Sequence, residues 1–213
     1  MATSTVFLIL FIVIAIVHVI GELLEEDKAV KVRTFTKPPL LLCILLYYVF
    51  GSIEAGNPIN LLIAIGLFLG FVGDVSLLKP KVPALFLIGL GSFLIGHVLY
   101  IIAFIQALDG FAGVPAWVYS ILIVFAGLFI VINRYLGDST KDMKIPVILY
   151  MVIILTMSFC GFALMFSSIT GDIKAPTYAF IGSVFFIISD FLLANQLFKK
   201  SFKRDQALIM ITY

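Results

Sequence analysis

The sequence predicts an all-α membrane protein, a bundle of about eight transmembrane helices with the last one incomplete. Three observations predict it. The 213 residues are 62% hydrophobic and 12% charged, with a mean hydropathy of +1.21. A soluble domain has about 45–50% apolar and about 25% charged residues, so this chain lacks the polar groups to cover a water-facing surface. The apolar residues gather into runs near the roughly 20 residues that a membrane-crossing helix needs. The Lys and Arg residues fall almost wholly in alternate loops between those runs. This composition excludes a soluble enzyme, a secreted disulfide scaffold, a disordered chain and a nucleic-acid binder with a basic face.

The spans fall at about 2–21, 38–54, 58–78, 83–107, 115–135, 145–168 and 176–198, within a single integral-membrane domain over 1–213. The first span has no Lys or Arg before it and no small-residue cleavage site after Gly21. It therefore reads as a retained helix, not a signal peptide. Several later spans open on proline (Pro38, Pro58, Pro83, Pro115, Pro176). The missing N–H of proline does no harm in a first helical turn. The eighth run, 207–213, is too short to span, and we read it as a last helix cut off by truncation of the sequence. Cys43 and Cys160 lie inside the second and sixth spans and read as packing residues. The sequence has no compact His/Cys/Asp cluster, so neither a metal nor another cofactor is expected.

Basic residues set the orientation. Lys28, Lys31, Arg33, Lys37, Lys79, Lys81, Arg134, Lys141, Lys144, Lys199, Lys200, Lys203 and Arg204 occupy odd-numbered loops, whereas the even loops hold only Lys174. Cytoplasmic loops are the Lys/Arg-rich ones. The odd loops are therefore expected in the cytoplasm and the N-terminus outside.

A short internal similarity suggests two four-helix repeats. Gly73-Asp74-Val75-Ser76-Leu77 ends the third span, and Ser189-Asp190-Phe191-Leu192-Leu193 lies in the seventh. Both read small residue, Asp, two residues, Leu. Lys37-Pro38 opens the second span, as Lys144-Ile145-Pro146 opens the sixth. Elements four spans apart share an orientation, as in parallel-repeat transporters.

An ionisable residue within a span is costly and by default a functional candidate. Asp74 and Asp190 both fall in the cytoplasmic half, roughly 6–12 Å below the basic loops at 1.5 Å per residue. Tyr150, Tyr213 and Lys37 lie at similar depth on other helices; His97 and Tyr100 lie deeper, on one face with Phe93 and Phe104. Taken singly, Asp74 could cap a helix, His97 could be a packing residue and the tyrosines could be interfacial anchors. Together they point to a cavity open to the cytoplasm. His18 takes the packing or interface reading. Gly66, Gly70 and Gly73 line one side of the third helix, so close helix packing should hold Asp74 away from lipid.

Lys37-Pro38, Gly73-Asp74 with Leu77, Gly96-His97 with Tyr100, Tyr150, Ser189-Asp190 with Leu193-Ala194, and Thr212-Tyr213 together resemble the successive signatures of the YhhN-like lysoplasmalogenase family. The resemblance runs in order from the second span to the chain end. It implies an eight-span fold and hydrolysis of the vinyl-ether bond of lysoplasmalogens, lysophospholipids with an alkenyl chain. The products would be a fatty aldehyde and glycerophosphoethanolamine or glycerophosphocholine. It also implies that Asp74 and Asp190 are the catalytic carboxylates, with Lys37, His97, Tyr100, Tyr150 and Tyr213 lining the substrate site. The expected partners are the alkenyl lysophospholipid and membrane lipids, with no nucleic acid.

The chemistry suits a carboxyl pair. Protonation of the vinyl ether at carbon gives an oxocarbenium ion, the problem that glycoside hydrolysis also solves with two carboxyls. Asp190, the deeper residue, is the expected acid and Asp74 the base. Two other readings stand beside this one. Paired halves with intramembrane carboxylates also fit a proton-coupled transporter or flippase, although the polar groups gather at one depth without a matching outer set. A non-catalytic lipid-binding scaffold leaves the carboxylates unexplained. The topology is testable with reporter fusions: those at Gly110 and Gly171 should report outside, and those at Lys31, Lys141 and Lys200 inside. A cytoplasmic signal from Gly110 would overturn the orientation.

Overall fold

The computed structural model describes residues 2–24, 26–168, 173–202 and 204–213; Gly171 and Lys203 lie outside the described residues. Among the described residues there are eight α-helices and no strand. They are α1 (Thr3–Glu22), α2 (Glu26–Glu54), α3 (Leu61–Ser76), α4 (Pro83–Ala107), α5 (Ile121–Leu136), α6 (Lys144–Met165), α7 (Lys174–Phe198) and α8 (Asp205–Thr212). Of these, α1, α2, α4, α6, α7 and α5 with the turn before it are long and apolar enough to cross a membrane, while α3 is apolar but shorter. The protein is thus an all-α membrane protein. Its contacts divide it into two compact units, 1–100 and 101–213, with the boundary in α4.

Three helix starts differ from the sequence reading, each for a local reason. Helix α2 begins at Glu26, and Pro38 and Pro39 lie in its interior instead of its first turn. The polar stretch before them stays helical because it packs against α1, so tertiary contact overrides the proline signal. Helix α3 begins at Leu61, not at Pro58, because the Asn60 side chain caps it by accepting from the Leu62 N–H at 3.0 Å. Ahead of α5, Ala116–Ser120 winds as a tighter 3-10 turn.

In the first unit, α1 and α2 form a hairpin tied at both ends. Ser4 donates from its backbone N–H (3.1 Å) and from its hydroxyl to Glu54 at one end, and Arg33 binds Glu22 at the other. The Tyr48 hydroxyl accepts from the Asn60 N–H at 2.9 Å and joins α2 to the start of α3. Glycines let α3 and α4 approach. A Cβ on Gly66 would lie 2.5 Å from a Tyr100 ring carbon, and one on Gly73 would lie 2.6 Å from a Phe93 ring carbon. The expected glycine stripe is therefore a packing surface. It carries Asp74, which is fully buried.

The second unit is built around Leu108, Val118, Phe159, Cys160, Ala163 and Leu164, with Phe104, Phe111, Phe162 and Phe166 packed against them. The Trp117 ring meets Phe166 edge-on at 4.7 Å between centroids. Hydrogen bonds join its apolar helices: Ser158 to Ser183 at 2.8 Å (α6 to α7), and the Tyr135 hydroxyl to Asn195 Oδ1 at 2.8 Å (α5 to α7). The Ser189 hydroxyl donates to the Ile209 carbonyl at 3.1 Å, joining α7 to α8. Lipid tails give helices no hydrophobic reason to associate, so small residues and such bonds hold them together. Cys43 and Cys160 are buried and free, as packing residues would be.

Gly21 tests this packing logic. A Cβ there would lie 2.8 Å from Val32 Cβ, with a Val32 methyl closer still. Ala is favoured over Gly in a helix by up to about 1 kcal/mol, but overpacking costs typically about 1–3 kcal/mol, and a β-branched valine on a helix cannot rotate away. Gly21→Ala should therefore lower the melting temperature in detergent. In a Val32→Ala background, which removes the methyls but keeps the Cβ at 2.8 Å, the same change should cost less without becoming stabilising.

Candidate functional site

Each unit places its aspartate on the third of its four helices and partners it from the second. In the first unit, Asp74 sits two residues from the end of α3. Lys37 on α2 brings Nζ within 3.3 Å of Asp74 Oδ1, with 14% of the lysine side chain and 1% of the aspartate side chain exposed. An ammonium so close to a carboxylate that has lost its water interacts far more strongly than a surface pair. In the second unit, the buried Tyr150 on α6 donates its phenolic hydrogen to Asp190 Oδ2 on α7. One carboxyl is thus paired with a cation and the other with a neutral hydroxyl.

The fourth helix of each unit completes the surroundings. On α4, His97 is buried between two rings, with its centroid 6.3 Å from that of Phe93 and 6.3 Å from that of Tyr100. Phe93 covers Gly73, the residue before Asp74, and Tyr100 covers Gly66 two turns earlier on the same helix. His97 is therefore fixed over the glycine face of α3. On the other side, Ser189, the residue before Asp190, bonds to α8. The Tyr213 ring lies 5.3 Å from Phe186, one turn before Asp190 on α7.

All seven expected residues thus fall into two clusters: Lys37, Asp74, His97 and Tyr100 in one unit, and Tyr150, Asp190 and Tyr213 in the other. Lys37 contacts Asp74 and Tyr150 contacts Asp190, while His97, Tyr100 and Tyr213 each pack against an aromatic neighbour. Sequence reasoning placed Lys37 at a helix start, whereas it lies within α2, with Nζ 3.3 Å from Asp74 Oδ1. It also missed a buried cluster of His18, Glu22, Arg33 and Thr36 between α1 and α2. The four-residue spacing of His18 and Glu22, facing basic and hydroxyl residues three apart on the next helix, was the available signal. Among the described residues no three His, Cys, Asp or Glu side chains are grouped to hold a metal ion.

The sequence model of the YhhN family matches residues 32–213, which takes in every residue of both clusters. Neither a curated protein nor a solved structure matches the chain.

The ion pair makes a stability prediction. Removing one partner of a buried pair costs about 3–5 kcal/mol, because the other charge stays behind without its counterion. Lys37→Met should lower the melting temperature in detergent sharply, and adding Asp74→Asn should recover most of the loss. Equal melting of wild type and Lys37→Met would mean the pair is not buried as described.

Proposed function

The chain belongs to the YhhN family, and on that premise we propose that it is a membrane hydrolase cleaving the vinyl-ether bond of lysoplasmalogens. It releases a fatty aldehyde and glycerophosphoethanolamine or glycerophosphocholine. The observation that carries this reading is the pair of intramembrane carboxyls with unlike partners, an ammonium at Asp74 and a phenol at Asp190.

The reaction needs one proton donor and one carboxylate. Asp190 is the donor. Its Oδ2 accepts from the Tyr150 hydroxyl. The Asp190 carboxyl proton goes to the β-carbon of the vinyl ether, the double bond supplies the electron pair, and an oxocarbenium ion forms at the α-carbon. Asp74, kept as a carboxylate by Lys37, stabilises this cation and takes a proton from water as its oxygen bonds to the α-carbon. The resulting hemiacetal breaks its bond to the glycerol oxygen, which leaves as an alcohol with a proton, and the aldehyde remains. Transfer of a proton back to Asp190 closes the cycle. His97, Tyr100 and Tyr213 orient the water and the ether oxygen. The site faces the cytoplasm, where the basic loops can hold the substrate phosphate as point charges.

The layout of the second unit favours hydrolysis over transport. Its aromatic core reaches Phe180 on α7 through a 5.1 Å ring contact with Phe162, roughly 15 Å along the helix from Asp190 at 1.5 Å per residue. Tyr150 and Asp190 lie toward one end of these helices, and aromatic rings pack toward the other. That suits a one-sided reaction site better than a path across the membrane.

Purified protein given lysoplasmenylethanolamine should release aldehyde detectable by mass spectrometry, and a saturated ether analogue should yield none. Asp74→Asn and Asp190→Asn should each nearly abolish release in folded protein, because an amide cannot cycle a proton. His97→Ala should cost on the order of 10²-fold, the lower range for a positioned acid–base group. The rate should slow in D₂O, and the pH profile should be bell-shaped, one limb for each carboxyl. Near-full turnover in either Asp→Asn variant would remove that residue from the mechanism.

A further inference from the structure

Helix α1 ends on a carboxylate, Glu22. A negative charge at a helix C-terminus faces the negative end of the helix dipole, and this side chain is nearly without solvent, at 1% exposure. Arg33 holds it, and His18 lies beside it. Arg33 on α2 donates to both oxygens, from Nε at 2.6 Å and from a terminal nitrogen at 2.5 Å. His18, one turn back on α1 and wholly buried, brings Nε2 to 3.4 Å from Glu22 Oε1. The other ring nitrogen of His18 lies 2.6 Å from Thr36 Oγ1. The single Thr36 hydroxyl hydrogen goes to the Val32 carbonyl at 2.7 Å, so His18 Nδ1 is the donor and Thr36 accepts. One imidazole thus bridges the end of α1 to the residue immediately before Lys37.

That stretch of α2 is where the helix is weakest. Pro38 and Pro39 lie inside it and cannot donate to the carbonyls of Thr34 and Phe35. A residue preceding proline also disfavours helical dihedrals, and Lys37 is that residue. Backbone hydrogen bonding therefore does little to fix the rotation of Lys37 about the axis of α2. Side chains from α1 grip the turn on one side, and Asp74 on α3 takes the lysine on the other.

We infer that His18 is a positioning residue for Lys37: with Glu22 and Arg33 it anchors the turn before the two prolines so that the ammonium reaches Asp74. The contact itself is independent of the reaction. Its catalytic consequence rests on the proposed hydrolytic role of Asp74.

The test reads Lys37 directly. The full-length protein in detergent is treated with acetic anhydride, and acetylation of each lysine is followed by mass spectrometry. Asp74→Asn, which removes the carboxylate facing the amine, sets the reference rate. His18→Leu and Thr36→Val should each raise Lys37 acetylation several-fold toward that reference while Lys81 stays at the wild-type rate. Thr36→Val keeps the side-chain volume and carries the test if His18→Leu fails to fold. Glu54→Gln, which loosens the same hairpin at its far end, should leave Lys37 unchanged. An unaltered Lys37 rate in folded Thr36→Val, or an equal rise in Glu54→Gln, would overturn the inference. In an activity assay His18→Leu should lower kcat more than it raises KM, and should add nothing in a Lys37→Met background; multiplied losses would equally overturn it. If the wild type releases no aldehyde, the hydrolase reading fails while the acetylation result still decides the anchor.

Discussion

A carboxylate placed in an apolar helix must find a partner on a neighbouring helix, because nothing else in the membrane interior can replace its water. The cost of leaving it alone is several kcal/mol at least. Asp74 and Asp190 impose that requirement, and much of each unit is arranged around meeting it. Lys37 reaches Asp74 from α2, and Tyr150 reaches Asp190 from α6. Neither reach is possible unless the helices lie close. The glycines of α3 bring α4 close in one unit, and hydrogen-bonded serines bring α6, α7 and α8 close in the other.

The sequence showed which helices exist and which residues are chemically expensive. Length and hydropathy located α4 at 83–107 outright, and the glycine spacing foretold the burial of Asp74. It did not show who partners whom. Lys37 looked like a basic residue at a helix start, because the prolines after it carry a strong start signal; only the packing of α1 on α2 keeps the preceding turns helical. The pairing of Tyr150 with Asp190 depends on the rotation of α6 against α7, and hydropathy carries no information about rotation within an all-apolar helix. His18 was legible only as a polar residue near a helix end. Its use depends on Gly21 letting Val32, and with it Arg33 and Thr36, close onto α1.

The two units repeat a rule more than a sequence. In both, the residue before the aspartate is small and faces the fourth helix: Gly73 lies under Phe93, and Ser189 bonds to Ile209. In both, the aspartate turns to the second helix. The motif of small residue, Asp, two residues, Leu is therefore explained by helix geometry. Adjacent residues on a helix point about 100° apart, so one position can serve the fourth helix while the next serves the second. A larger residue before the aspartate would push the fourth helix away, and the face carrying the carboxyl would open to lipid.

The same scaffold with a different partner gives a different carboxyl. A lysine facing Asp74 brings a positive group within 3.3 Å of its Oδ1. A tyrosine facing Asp190 supplies a hydrogen bond and no charge. Part of each environment comes from one residue, on α2 for Asp74 and on α6 for Asp190. Exchanging those partners, by Lys37→Tyr together with Tyr150→Lys, would exchange the electrostatic character of the two aspartates without touching either carboxyl. The second-helix partner thus gives each aspartate a contact of a kind that differs between the units, an ammonium in one and a phenol in the other.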